Sequence, residues 1–326
     1  MPLSFGLLAL ALTLIATALY LPLARRLRFL DSPNHRSAHA VVTPSSGGLA
    51  VVAGIALTIQ IAQLFGGALL DAPERLMQLL VIALCALGAW DDRRPVPVYL
   101  RLFLFFLLSG VAVSGYLDQG FLSLWLWPVL ILGLAWLINL YNFMDGIDGL
   151  ATLQTVVVAG SMFGLGLVAG AASEFLLVCA IVAGAYGGFL VFNWPPAKLF
   201  MGDAGSLSAG LFVGWLGLWV WRDDLMPVVV WFLLMSPFLL DTSVTLIARA
   251  LKGERLTEAH SGHCYQRLSR HWGSHRRVDQ ALLLLQAVWL IPLALMAILS
   301  SLPQWTLMAL GLFPQLLLIA KLRRLK

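Results

Sequence analysis

Charge is what this sequence has least of. Only 11% of its 326 residues are Asp, Glu, Lys or Arg, while 60% are hydrophobic; a soluble domain is roughly 25% charged. So little charge cannot cover a water-facing surface, so the chain reads as one that faces lipid. Its length therefore need not be divided among several soluble domains. Cysteine is scarce as well. Cys85, Cys179 and Cys264 stand far apart with no CxxC pair, which argues against a disulfide framework and against a cysteine metal site. Internal repeats and low-complexity tracts are absent. The net charge of +5 would suit nucleic acid, but no basic face interleaved with aromatics is present, so nucleic acid is not an expected partner. Basic residues are also missing ahead of the first apolar run: Arg25, Arg26 and Arg28 follow it. Despite the nominal cleavage motif Ala16-Thr17-Ala18, this reads as a retained first helix with its N-terminus outside.

What the chain does have is apolar runs. A bilayer core of about 30 Å needs about 20 apolar residues per helix. Runs that meet or approach this lie near 3–24, 47–70, 76–90, 97–117, 121–140, 150–171, 174–192, 204–221, 225–248, 279–300 and 304–321. The expected fold is all-α: one polytopic transmembrane bundle over 1–326 with about eleven spans, or ten if the poorly marked join between the sixth and seventh is continuous. With the N-terminus outside, the inside segments are 25–46, 91–101, 141–149, 193–203, 249–278 and 321–326. They hold 19 of the 21 Lys and Arg residues and all six His; only Arg75 and Arg222 fall elsewhere. That asymmetry sets the orientation and puts the C-terminus in the cytoplasm. The outside acids Asp71, Glu74, Asp118, Asp223 and Asp224 read as solvated loop ends.

The inside segments carry the unusual chemistry. Asp91-Asp92 closes the third span, where two carboxylates repel each other beside the negative end of a helix dipole. A metal, or pairing with Arg93 and Arg94, would offset this. Asn142-Phe-Met-Asp145-Gly-Ile-Asp148-Gly places two Asp three residues apart with no basic neighbour. If they open the next helix they share one face. Asn193-Trp-Pro-Pro-Ala-Lys198-Leu-Phe200-Met-Gly202-Asp203 stops one helix at its prolines and starts another at Gly202, where N–H groups and a carboxylate suit a phosphate–metal unit. Arg255, His260, His263 and Arg267 concentrate cationic donors suited to a pyrophosphate. Zinc is a weaker reading of the pairs His35/His39, His260/His263 and His271/His275, for want of a cysteine or carboxylate around them. His271 and His275 read as solvated loop. Asp241, inside the ninth span, is costly in lipid and hence either functional or paired. Carboxylates, helix N-termini and a His/Arg loop form the inventory of metal-assisted phosphoryl transfer, and the apolar bundle implies a lipid co-substrate. Asp241 alone supports a rival reading, an ion- or proton-coupled transporter.

Taken in order, Asp31-Ser-Pro-Asn34-His-Arg36-Ser-Ala-His39, Thr43-Pro-Ser-Ser-Gly47-Gly48, Asp91-Asp92, Asn142 to Asp148, Phe192 through Asp203, and His260/His263 resemble the polyprenyl-phosphate N-acetylhexosamine-1-phosphate transferases. The resemblance runs from about Asp31 to Arg267. It implies transfer of a sugar 1-phosphate from a UDP-HexNAc to undecaprenyl phosphate with release of UMP, at the cytoplasmic face of the bacterial inner membrane. It implies Mg2+, with Mn2+ as a substitute, held by Asp203, with Asp145 and Asp148 at the metal–diphosphate site. Asp91 and Asp92 would meet the polyprenyl phosphate, Asp91 as base or nucleophile. Asn193 and Phe200 would contact uridine, and His260 and His263 the diphosphate or sugar phosphate. Asn142, Lys198, Gly202, Arg255 and Arg267 complete the substrate-binding candidates. His-Ser-Gly-His in place of a compact histidine run, and the eleventh span, point away from the peptidoglycan branch and toward the O-antigen, enterobacterial-antigen or teichoic-acid initiating enzymes. Ser45 stands where many members carry a basic residue. Membrane lipids are expected partners, and a homodimer is compatible with this reading.

Overall fold

A computed structural model of the chain describes residues 1–31, 41–66, 70–116, 125–255 and 260–323. In chain order these form α1 (Pro2–Arg26), a two-stranded antiparallel pair β1 (Leu30–Asp31) and β2 (Thr43–Pro44), α2 (Gly48–Gly66), α3 (Ala72–Asp91), α4 (Val98–Tyr116), α5 (Leu126–Met144), α6 (Leu150–Ala169), α7 (Ser173–Asn193), α8 (Gly202–Arg222), α9 (Val229–Leu251), α10 (Cys264–Trp272), α11 (His275–Leu285), α12 (Ile291–Leu299) and α13 (Gln304–Leu322). One π-helical turn, Gln286–Leu290, joins α11 to α12, so His275–Leu299 makes one span. Among the described residues, eleven helices are long and apolar enough to cross a bilayer. The protein is an all-α polytopic membrane protein. The join between the sixth and seventh spans is marked by Gly170, which ends α6 at φ +72°.

Two boundaries differ from expectation and both matter to the site. The fifth span ends at Met144 instead of near residue 140, which puts Asn142 on the last turn of α5. Asp145 and Asp148 do not open the next helix. Gly149, at φ +79°, precedes α6, and the two aspartates lie on the connecting loop. The 249–278 segment is not all loop either, since it contains α10.

The bundle is organised around α8, which is buried along almost its whole length. Close packing in lipid relies on small residues, because apolar side chains gain little by leaving lipid tails. Thus α1 buries Gly6, Ala9, Thr13, Thr17 and Ala24, and Gly6 meets Ala180 and Gly184 of α7 backbone to backbone. Its larger residues, among them Leu3, Leu7 and Leu19, face outward. Pro237 removes one donor from α9 and frees the Leu233 carbonyl. Ser236 Oγ donates to that carbonyl (2.7 Å), and the amides of Gln154 and Gln286 converge on Leu234 O at 2.9 and 2.8 Å.

Glu74 is not a solvated loop end. It is 3% exposed and pairs with Arg222 at 3.0 Å. Arg222 also binds Asp223 at 2.6 Å and lies 4.2 Å from the centroid of the Tyr116 ring. This accounts for one of the two basic residues on the charge-poor face. Asp71 and Asp224 are exposed; Asp118 lies outside the described residues. Arg222→Ala would strand a buried carboxylate, a change expected to cost about 3 kcal/mol and to lower the unfolding midpoint in detergent. Glu74→Gln, which keeps a hydrogen-bonding group, should cost less. Wild-type stability in Arg222→Ala would contradict the pairing.

Candidate active site

The charge-rich loops come together around the N-terminus of α8. Residues Thr43 to Gly48 are laced between two strips of backbone. On one side Ser45 N–H donates to Phe29 O (3.0 Å). On the other, Phe200 N–H donates to Pro44 O (2.8 Å), Gly47 N–H to Phe200 O (2.9 Å) and Gly48 N–H to Met201 O (3.0 Å). Gly202 then turns at φ +68°, with Asp92, Ser46 and Ser45 where a Cβ would stand. No other residue fits that turn unstrained.

The first N–H groups of a helix need acceptors, and the residue before α8, Met201, offers no side-chain cap. Asp92 supplies one from the end of α3. Its Oδ1 accepts from Asp203 N–H (2.8 Å), and its Oδ2 accepts from Ser46 Oγ (2.5 Å) and, at 3.5 Å, from Ala204 N–H. Burial holds its carboxyl above the usual range even though all three donors pull it down. The neighbouring Asp91 is committed elsewhere. It accepts from Val96 N–H (2.6 Å) and from Arg101 Nη1 (2.7 Å). The expected pairing with Arg93 and Arg94 does not occur: these lie over the rings of Phe29 and Trp90. Asp91 is thus held between an arginine and a backbone N–H.

Arg101 went unnoticed in the sequence. Its Nη1 also lies 3.5 Å from Asp203 Oδ2, so it bridges two carboxylates. A signal existed: an arginine in the first turn of α4 opposes the helix dipole and so asks for a partner. Asp203 Oδ1 in turn accepts from Asn142 Nδ2 (2.6 Å), which also contacts Ser206 Oγ at 3.3 Å.

Asp145 differs from its neighbours. No donor among the described residues reaches its carboxylate. Burial, then the charges of Asp203, Asp92 and Asp148, push it well above the ordinary carboxylate range. The backbone around it is nevertheless held. Tyr265 Oη donates to Phe143 O (2.8 Å), and Asp148 Oδ2 accepts from Ala197 N–H (3.0 Å). His275 Nδ1 lies 3.3 Å from Asp148 Oδ1, so His275 is not the solvated loop residue expected.

His263 is buried, stacks between Phe143 and Tyr265, and has His260 at 4.7 Å between ring centroids. The two histidines thus stand beside the Asp145 loop. His260 is pushed down to about 4, by burial first and then by His263 and Arg249. Asp241 caps α10 from α9: it accepts from Cys264 N–H (2.8 Å), Tyr265 N–H (3.0 Å) and Thr245 Oγ1 (3.2 Å). A carboxylate so fully engaged does not serve as a transporter's ion site.

Other expected contacts are placed elsewhere. Asn193 is 2% exposed, and both ends of its amide are engaged, by Thr152 Oγ1 (2.6 Å) and Leu199 O (3.0 Å). It ties the loop after α7 to α6. Phe200 is half-buried beside it, while Lys198 and Arg255 are exposed. Arg267 donates to Gly262 O (3.0 Å) and Arg323 O (3.3 Å), bracing the histidine loop. His35 and His39 lie outside the described residues.

Among the described residues no three His, Cys, Asp or Glu side chains converge into a metal cage. That is compatible with Mg2+, which keeps several waters and binds through one or two carboxylates together with substrate phosphate oxygens. The Asp145 carboxylate, without a donor among the described residues and in a cluster of like charge, fits such an ion.

The sequence profile described as glycosyl transferase family 4 matches residues 75–220. The chain is 26% identical over 276 residues to a probable undecaprenyl-phosphate N-acetylglucosaminyl 1-phosphate transferase of Bacillus subtilis (strain 168), covering 81% of this chain and 76% of that protein. It is 28% identical over 317 residues to the decaprenyl-phosphate N-acetylglucosaminephosphotransferase of Mycobacterium leprae (strain TN), covering 84% and 78%. A phospho-N-acetylmuramoyl-pentapeptide-transferase of Campylobacter lari is 31% identical over 160 residues, covering only 42% and 43%.

His260 supplies a pH test. A depressed folded-state value means that the unfolded chain takes up a proton first as pH falls, so stability is lost from about pH 6.5 down toward 4. Thermal unfolding at pH 7 and pH 5 should show this loss, and His260→Gln should reduce it. An unchanged slope in the variant would contradict the burial of a neutral imidazole.

Proposed function

We propose that the chain belongs to the polyprenyl-phosphate N-acetylhexosamine-1-phosphate transferase family and that it transfers HexNAc 1-phosphate, of GlcNAc or deoxy-HexNAc type, from a UDP-sugar to undecaprenyl phosphate. An oxygen of the lipid phosphate attacks the phosphorus that carries the sugar. The bond from that phosphorus to the bridging oxygen breaks, and UMP leaves with the electron pair. The observation that carries the reading is the Asp145 carboxylate, without a donor among the described residues and set among Asp92, Asp148 and Asp203 on the face where the loops converge.

In this reading Asp145 and Asp203 hold the cation. Mg2+, or Mn2+ in its place, would neutralise diphosphate oxygens as charge grows on the leaving group. Asp92 fixes the start of α8, so that Asp203 points into the cluster, and Asn142 fixes its carboxylate. Asp91 positions Arg101, whose guanidinium spans Asp91 and Asp203 and can turn toward an incoming phosphate. His260 and His263 line the far side of the Asp145 loop, where the sugar phosphate would lie. The concentration of Lys and Arg on this side supports a cytoplasmic active face in a bacterial inner membrane. The long matches to N-acetylglucosamine-phosphate transferases, against a short one to the peptidoglycan enzyme, favour the start of a lipid-linked envelope glycan such as O-antigen.

Purified protein should release UMP from UDP-GlcNAc or a deoxy relative only when undecaprenyl phosphate and Mg2+ are both present. Asp145→Asn should lower the rate by about a thousandfold, as loss of a group acting on transition-state charge does, while remaining folded. No UMP from any UDP-HexNAc with folded protein would overturn the reading. Full activity in Asp145→Asn would remove that residue from the site.

A further inference from the structure

Asp279 takes no part in the chemistry above. It is fully buried, and neither carboxylate oxygen has a hydrogen-bond partner among the described residues. It sits one turn beyond His275 on α11, so the two share a face. That face presses on the loops of the acidic cluster. His275 Nδ1 lies 3.3 Å from Asp148 Oδ1 and accepts from Asp148 N–H at 3.4 Å. Asp279 packs against Gly149: a Cβ there would stand 2.8 Å from Asp279 Oδ2 and 3.1 Å from Pro195 Cδ. The second oxygen of Asp148 takes the Ala197 N–H, so the turn that α11 contacts also ties the 145–149 loop to the 194–200 loop. If α11 only filled space, an apolar side chain would serve better than a buried carboxylate without a partner, which is costly to keep.

The loop that carries Asp145 contains Gly146 and Gly149 and would otherwise be loose. Tyr265 pins it just before Asp145, at Phe143 O; His275 and Asp279 pin it just after. We infer that His275 and Asp279 are positioning residues: by fixing the Asp148-Gly149 turn they aim the Asp145 carboxylate and set the affinity of the acidic cluster for a divalent cation. This rests on the metal-assisted reading above.

The test is Mn2+ binding to the full chain in detergent, followed by electron paramagnetic resonance without substrate, alongside UMP release. His275→Phe keeps bulk and loses the Nδ1 contact with Asp148. It should weaken Mn2+ binding by about tenfold or more, as loss of outer partners of metal ligands does, with the metal-free unfolding midpoint unchanged. His275→Asn, whose amide can take the place of Nδ1, should restore most of the affinity. Asp279→Ala should weaken binding from the other contact and decides the matter if His275→Phe does not fold. Wild-type Mn2+ affinity in folded His275→Phe or Asp279→Ala overturns the inference, as does His275→Asn binding no better than His275→Phe. If neither His275→Phe nor Asp279→Ala folds, the residues serve the bundle alone and the inference fails. A wild-type protein that takes up no Mn2+ overturns the metal-assisted reading itself, and this inference with it.

Discussion

Two helices in this bundle are capped by side chains from other helices. The N-terminus of α8 takes its acceptors from Asp92, at the end of α3, and the N-terminus of α10 takes them from Asp241, within α9. Unsatisfied backbone groups are costly wherever water is excluded, so each cap fixes the relative position of two helices as well as one helix end. The Asp92 cap brings together the ends of α3 and α8, and the laced strip from Thr43 to Gly48 adds α2. The Asp241 cap holds α10, and through Tyr265 it holds the end of α5. The candidate site lies where these constraints meet.

The same arrangement sorts the carboxylates. Asp92 and Asp241 are consumed by helix ends, Asp91 by Arg101 and Val96, and Asp148 is engaged by Ala197 and lies against His275. Asp203 keeps one oxygen against Asn142 and the other at the long Arg101 contact. Asp145 alone among these six has no donor among the described residues. Like charges gathered in a partly desolvated space repel unless a cation or proton intervenes. In the proposed reading, a divalent ion brought in with a diphosphate would relieve that repulsion.

Much of this was legible in the sequence. Spans follow from apolar run length, because that is a one-dimensional property. The Asn142-to-Asp148 motif was visible as carboxylates without a basic neighbour. The free carboxylate among them was not, because each partner comes from another helix. Asp91 and Asp92 are adjacent yet have unrelated partners, ten and 111 residues away respectively. Glu74 looked like a loop end because Arg222 is on a distant helix. His275 looked solvated because its contact, Asp148, is 127 residues distant. Asn193 stood out as a polar residue at a helix end, but its amide is spent on local structure.

The central claim is that helix capping and ion pairing spend the other acids and leave Asp145, with Asp203, to receive a cation. Anomalous scattering from crystals of the protein grown with Mn2+ tests this most directly. The account predicts a peak bounded by the Asp145 and Asp203 carboxylates, with Asp92 still bonded to the N-terminus of α8. A Mn2+ peak at Asp91 or Asp148 without Asp145, or an Asp92 side chain swung away from α8 to bind the ion, would contradict it.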